Sequence, residues 1–243
     1  MKKNIIYLRT VKAFRMSLSL LILLTLLISC NTETSPKWEY IFDGETFNGW
    51  HVYKAESIGS EWSINNGELI FTNNEEFGQD LVTDKEYTNF ELSIEWNISK
   101  NGNSGILYGV KELPEFDAPF VTGPEIQILD PEMPDGPLTQ AGALYGMIAP
   151  SKWVTKPAGE WNTYDITIDH NSNKGVVVHN GEEIVNFPLS GEEWDAMVAP
   201  TKFNNCDQKP WHNCDFGKFK TGKISIQDHP GVISFRNIRI LEL

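Results

Sequence analysis

The stretch Asn89–Ser99, NFELSIEWNIS, decides the fold class. Phe90, Leu92, Ile94, Trp96 and Ile98 fall on one side of an extended chain, and Glu91, Ser93, Glu95 and Asn97 on the other. Strict alternation over nine residues marks a half-buried β-strand rather than a helix. The same period returns in WNTYDITIDH, with Tyr164, Ile166 and Ile168 in phase. GVVVHNGEEIVNF reads as a hairpin, because Asn180-Gly181 suits a type I′ turn. Near the end, Ile233 and Phe235 are in phase while Ile238 and Ile240 are one residue out. One extra residue of that kind predicts a β-bulge at Arg236 or Asn237. Helix signals are few; SGEEWDAMV (Ser190–Val198) predicts one or two turns, with Ser190 as cap and Glu193 three residues on. Many short strands between Gly, Pro and Asn turns predict a single all-β sandwich with few short helical turns. In jelly-roll sandwiches one sheet curves, and its polar concave side suits a ligand.

The chain has 243 residues, and the first 29 read as a leader. Lys2, Lys3, Arg9, Lys12 and Arg15 precede an apolar run from about Leu18 to Ile28, the pattern of a secretory signal. Leu27-Ile28-Ser29-Cys30 resembles a bacterial lipobox, which implies cleavage before a lipidated Cys30. The expectation is an exported protein held in the cell envelope by that lipid alone, with residues 30–37 as tether and 38–243 as the catalytic domain. Loss of the leader takes the formal charge from −13 to −18. So acidic a surface excludes the nucleic-acid binders, which need basic patches to meet phosphates. It suits a neutral ligand.

Two cysteines remain, Cys206 and Cys214, in NNCDQKPWHNC. Export favours a disulfide. Zinc, with His212 between them, is the competing reading, although C-x7-C with one His matches no usual zinc spacing.

Three strand faces carry chemistry. Glu125 and Gln127 share a face in GPEIQILD, with Ile126 and Ile128 opposite. Gln227 and His229 share a face with Ser225 in KISIQDH, and Glu95 and Asn97 in the long strand. If these faces line one hollow, carboxylates, amides and an imidazole meet there. That set suits a polyhydroxylated ligand, and His moves protons near neutral pH. Each residue also has a plain reading: Glu95 as a solvated strand face, Asp228 as a cap on the Pro230-Gly231 turn, and His229 as a surface turn residue.

The motifs YIFDGETFNGW, NGNSGILYGV, TGPEIQILD, GALYGMIAP, KPAGEWN, TKFNN, FGKFKTGKISIQDH and ISFRNIRI occur in order from about Trp38 to Leu243. Together they resemble the 3-keto-disaccharide hydrolase family, formerly a domain of unknown function. The resemblance implies a concanavalin-like jelly roll in an exported protein or lipoprotein. It also implies activity on glycosides whose C3 hydroxyl is already a ketone, made by a 3-dehydrogenase acting upstream. Two departures bear on substrate choice. Relatives often carry Arg where this chain has Gly109, and the cysteine loop between Lys202 and Phe216 looks like an insertion.

A 3-keto group acidifies the C2 proton. A base removes it, the enolate expels the C1 substituent, and water later adds across the double bond. His229, oriented by Asp228, is the expected proton-transfer group, and Glu125 the second acid/base. Gln127, Gln227, Asn103, Ser104, Tyr145, Lys202 and Glu95 are expected to hold sugar hydroxyls or the ketone oxygen. A divalent metal bridging ketone and 2-hydroxyl is possible, with Glu125, Asp228 and His229 to serve it. Two other classes compete. EIQILD partly matches the E-x-D-x-x-E of retaining endo-β-glucanases, but Gln127 replaces the middle acid and Asp130 shortens the last. The eight tryptophans would suit a noncatalytic sugar-binding module, although most are expected in the core.

Overall fold

The computed structural model describes residues 37–73, 79–133, 136–209 and 214–243. The leader, Cys30, most of the tether and His212 lie outside the described residues.

Thirteen strands occur among the described residues. They are β1 (Glu39–Tyr40), β2 (Trp50–Val52), β3 (Trp62–Asn65), β4 (Glu68–Asn73), β5 (Leu81–Thr83), β6 (Phe90–Ile98), β7 (Asn103–Val110), β8 (Glu125–Leu129), β9 (Asn162–Asp169), β10 (Lys174–His179), β11 (Glu182–Phe187), β12 (Lys223–Ile226) and β13 (Gly231–Glu242). The large sheet runs β11-β10-β9-β6-β13-β4-β3, with β1 also pairing β13; the small sheet runs β2-β5-β12-β7-β8. All the strand pairings are antiparallel. The two sheets form the expected jelly-roll sandwich.

Alternation becomes burial. Along β6 every second residue, Phe90 to Ile98, is buried and the residues between are half-buried. These side chains meet Tyr164, Ile166 and Ile168 of β9, Ile233 and Phe235 of β13, and Ile106, Ile126, Ile128, Ile224 and Ile226 of the small sheet in one core. Each large aliphatic or aromatic side chain so buried contributes about 1.5–3 kcal/mol. The bulge falls where the phase slips: β13 pairs β6 through Arg236, then resumes at Arg239, and Asn237 has φ +53°. Asn180 and Gly181 have φ +50° and +84°, as a type I′ turn requires.

One expectation fails locally. The helix α1 is Glu192–Val198, its N-cap is Gly191 at φ +86°, and no side chain caps it. Ser190 Oγ instead donates to Asn173 Oδ1, 2.9 Å away. A distant amide has outcompeted the helix end for that hydroxyl.

Gly109 also has a backbone reason to be glycine. Its φ is +66°, and an added Cβ would lie 2.9 Å from the Phe219 carbonyl oxygen. It sits where the β7–β12 register shifts, and it does not line the cavity described next.

Candidate active site

The core-averted face of the small sheet carries a cavity of about 450 Å³, within the usual range for small-molecule sites. β8 turns Ile126 and Ile128 into the core and leaves Glu125, Gln127 and Leu129 on the cavity side. Its free edge is covered by the segment that follows. Tyr145 N donates to Glu125 O (2.9 Å), Gln127 N to Ala143 O (3.0 Å), and Gly142 N to Gln127 O (2.8 Å). This pairing sets Tyr145 beside Glu125. β7 adds Asn103 from the next strand. Beyond the end of β12, Gln227 N donates to Gly105 O (2.9 Å), and Gln227 and His229 enter the same cavity. Lys202 arrives on a 3-10 turn whose Thr201 hydroxyl accepts from Phe203 N.

The structure therefore brings together Glu125, Gln127, Asn103, Gln227, His229, Tyr145 and Lys202. Glu125 is buried, and that burial pushes its carboxyl up to about 8, against the opposing pull of the Lys202 ammonium. With its amide nitrogen turned toward them, Gln127 donates to Glu125 Oε1 (2.8 Å) and to the Ser104 carbonyl (3.0 Å). Burial lowers the His229 imidazole below its ordinary value, while the Asp228 carboxylate pulls the other way. The site thus holds a carboxyl that keeps its proton and an imidazole that gives its proton up. Divergent environments of this kind separate acid from base. Lys202 Nζ lies 3.4 Å from Tyr145 Oη and 4.7 Å from that ring's centre. Asn103 Oδ1 and Gln227 Oε1 are buried and meet no hydrogen-bond partner among the described residues. Buried amides without partners suit ligand hydroxyls.

Three expected residues lie elsewhere. Ser104 does not line the cavity; its hydroxyl donates to the Gln227 carbonyl (2.7 Å) and so helps position Gln227. Glu95 sits on the outer face of the large sheet, in a separate groove with Ser93, Thr163, Asp165 and Arg239. There it accepts from Arg236 Nε (2.8 Å) and Asn237 Nδ2 (2.7 Å). Burial raises its carboxyl, but those two bonds and the Arg236 charge outweigh it and hold it below the usual range. Asp228 does not orient His229 by a side-chain bond in the cavity and does not cap the Pro-Gly turn. Its carboxylate accepts from Gln79 N (2.8 Å), and its own amide donates to Asp80 Oδ1 (2.9 Å). Adjacent residues of extended chain point apart, and the buried Asp80 claims this one. Burial and the Asp228 charge raise Asp80 well above the carboxylate range.

With Asp228 turned away, the trio considered for a metal does not converge. No group of three His, Cys, Asp or Glu able to hold a metal occurs among the described residues. The glucanase arrangement is missing too. Asp130 is fully buried, accepting from Asn101 N (2.7 Å) and Glu132 N (3.1 Å), and does not line the cavity. Cys206 and Cys214 form a disulfide with Cα atoms 4.8 Å apart. Trp50, Trp62, Trp96 and Trp194 are buried, and no tryptophan among the described residues lines the cavity.

The cavity also has apolar lining that the polar strand faces do not announce: Phe120, Leu129, Met133, Phe203 and Phe216. Of these, alternation places Leu129 on the face of Glu125 and Gln127. Gly105 belongs to the site as well, since its absent side chain leaves room for Glu125.

Comparisons with known proteins agree with this frame. Residues 37–241 match the family model described as a 3-keto-alpha-glucoside-1,2-lyase-like domain. A 3-keto-disaccharide hydrolase of Bacteroides thetaiotaomicron is 35% identical over 229 residues, covering 82% of this chain and 76% of the relative. A crystal structure from Parabacteroides distasonis, provisionally described as a glycosyl hydrolase, superposes with a TM-score of 0.74 at 29% identity, covering 85% of this chain and 94% of that one. A second structure of that description and organism gives a TM-score of 0.64 at 25% identity, covering 85% of this chain and all of the other. The chain belongs to the 3-keto-alpha-glucoside-1,2-lyase-like family.

Proposed function

We propose that this protein cleaves 3-keto-glycosides by removing the C2 proton and expelling the C1 substituent. The observation that carries the reading is that Glu125 and His229 line one cavity, where burial raises the carboxyl to about 8 and lowers the imidazole. Neutral His229 takes the C2 proton, and the C–H electrons move to the C3 oxygen as an enolate. The Lys202 ammonium and the Tyr145 hydroxyl beside it stabilise that oxyanion. The enolate re-forms the ketone, the C1–O bond breaks, and Glu125 gives its proton to the departing oxygen. C1 and C2 are left joined by a double bond. Glu125, now a carboxylate, then activates water for addition at C1, and protonated His229 returns a proton to C2. The net change is hydrolysis without the oxocarbenium-like transition state of ordinary glycosidases. Asn103, Gln127 and Gln227 hold the hydroxyls.

Support also comes from the relative's name, which describes hydrolysis of a 3-keto-disaccharide. The test is kinetic. The purified protein cleaves a 3-keto-glucoside and leaves the unoxidised glucoside intact, and His229→Ala loses at least ~100-fold, the lower end for general acid–base catalysis. Cleavage of the unoxidised sugar, or a wild-type rate from the alanine variant, defeats the reading. We further infer export through residues 1–29 and attachment by a lipid on Cys30, with a 3-dehydrogenase supplying substrate. Cys30→Ala then releases the protein from the membrane fraction; retention there refutes the anchor.

A further inference from the structure

Asp80 is a buried ionisable group that the cleavage steps above leave unused. Sheet register fixes its place. Val52 pairs Leu81, and Tyr53 N donates to Asp80 O (2.9 Å). Ser225 pairs Val82 and Ile226 pairs Leu81, so the next step sets Asp80 opposite Gln227. Gln227 N donates to Gly105 O (2.9 Å), and Gly105 pairs Gln127. One row thus crosses the small sheet as Tyr53, Asp80, Gln227, Gly105 and Gln127, and residues directly opposite share a face. Asp80 therefore belongs to the sheet face that carries the cavity, although it does not line it.

At this point side chains take over from the β5–β12 ladder. Asp228 N donates to Asp80 Oδ1 (2.9 Å), and Gln79 N donates to Asp228 Oδ2 (2.8 Å). Each carboxyl group takes an amide of the opposite chain, so the two form a reciprocal clasp. Trp62, a core residue, donates its Nε1 proton to Gln79 O (2.6 Å) and anchors one side of the clasp. Burial and the Asp228 charge keep the proton on Asp80. A protonated carboxyl can donate to the Asp228 carboxylate while its other oxygen accepts from the Asp228 amide. The other ionisable groups that feel the pair are Glu125, His229 and Tyr53. The clasp closes one residue before His229, where the chain leaves its strand and still delivers the imidazole to the cavity.

We propose that Asp80 is a positioning residue for the cleavage: its clasp with Asp228 fixes the exit of β12 and holds His229 where it can take the C2 proton. The assignment rests on the reading above, in which His229 is the base. Gln227 is held independently, since Gly105 and Ser104 grip its backbone from β7. A loosened exit therefore moves the base and spares the groups that hold the sugar, which lowers kcat and leaves KM alone.

Two variants separate the clasp from mere packing. Asp80→Asn keeps both halves, because its oxygen accepts from Asp228 N and its amide donates to the Asp228 carboxylate. Asp80→Ala keeps neither. On a 3-keto-glucoside the alanine variant should lose about 100-fold in kcat at unchanged KM, the penalty for a reacting group misplaced by about an ångström. The asparagine variant should keep the wild-type kcat. An alanine variant with wild-type kcat, or an asparagine variant as slow as alanine, overturns the proposal. An NMR titration of the His229 ring reads the same geometry without substrate. Burial is the main cause of the lowered imidazole, so an exit opened to water in Asp80→Ala should move the titration up toward the ordinary value, and Asp80→Asn should leave it in place. An unmoved titration in the alanine variant also overturns the clasp. If alanine does not fold, Asp80→Ser, too short to reach Asp228, replaces it. If neither folds, the asparagine variant decides, and loss of the wild-type kcat or titration there refutes the assignment. If the wild-type protein itself cleaves no keto-glucoside, the cleavage reading falls, and the titration alone decides whether the clasp holds His229.

Discussion

The carboxyl group of Glu125 occupies the space that a side chain on Gly105 would fill: a Cβ there would lie 2.2 Å from Glu125 Oε1 and 2.7 Å from its Cγ and Cδ. The two residues sit on neighbouring strands, β8 and β7. Gly105 does not have a left-handed backbone conformation, so alanine fits the main chain, and the three atoms nearest its methyl all belong to the glutamate. Gly105→Ala is expected to fold, at an overpacking cost of about 1–3 kcal/mol. It is expected to lower kcat/KM about 100-fold, as displacement of a reacting group by an ångström does. Circular dichroism and steady-state kinetics on the same preparation check both halves.

The pH–rate profile should be a bell. Activity rises as His229 deprotonates, at a pH below the ordinary histidine value, and falls as Glu125 deprotonates near pH 8. Glu125→Gln removes the alkaline limb together with most of the activity. A glutamine variant that keeps the limb would assign it to another group.

Asp228 acts on His229 through its charge. The carboxylate raises the imidazole against the larger effect of burial, so Asp228→Asn should move the acid limb to lower pH. The asparagine oxygen can still accept from Gln79 N, which preserves the corner. An NMR titration of the His229 ring in both proteins reads the shift, and a move to higher pH would contradict the charge coupling.

A buried neutral glutamate also costs stability at alkaline pH. The folded value near 8 exceeds the ordinary 4.5, so the folded state holds the proton more tightly. The associated stability is complete below about pH 4.5 and is lost as pH rises through about 8. Relative to Glu125→Gln, the wild-type protein should lose about 1.4 kcal/mol per pH unit across that window. Asp80 is raised in the same direction, chiefly by burial and the Asp228 charge, which both proteins share; only its smallest cause, the Glu125 charge, differs between them. Urea unfolding at several pH values measures the difference.

Much of the fold was legible because local pattern and burial coincide. The alternation of Phe90–Ile98 maps onto the buried face of β6, and the phase slip between Phe235 and Ile238 maps onto the bulge. The polar wall was legible for the same reason, since Glu125-x-Gln127 and Gln227-x-His229 each declare a face. What stayed hidden depends on partners far along the chain. Ser190 was lost to Asn173, Asp228 to Gln79 and Asp80, and Ser104 to the Gln227 carbonyl. Phe203 and Phe216 looked like ordinary core residues, and they are packed into the core as well as lining the cavity. Hydrophobicity alone does not separate those two uses.

Loss of the C2 proton is the step on which the account stands. A 3-keto-glucoside carrying deuterium at C2 is incubated in ordinary water, and the released sugar is examined by mass spectrometry and NMR. The account predicts a slower reaction than for the protium compound, with deuterium lost from C2 wherever the His229 imidazolium exchanges with water before returning its proton. Full retention of deuterium at C2, with no change in rate, would mean that the glycosidic bond breaks without His229 ever taking that proton.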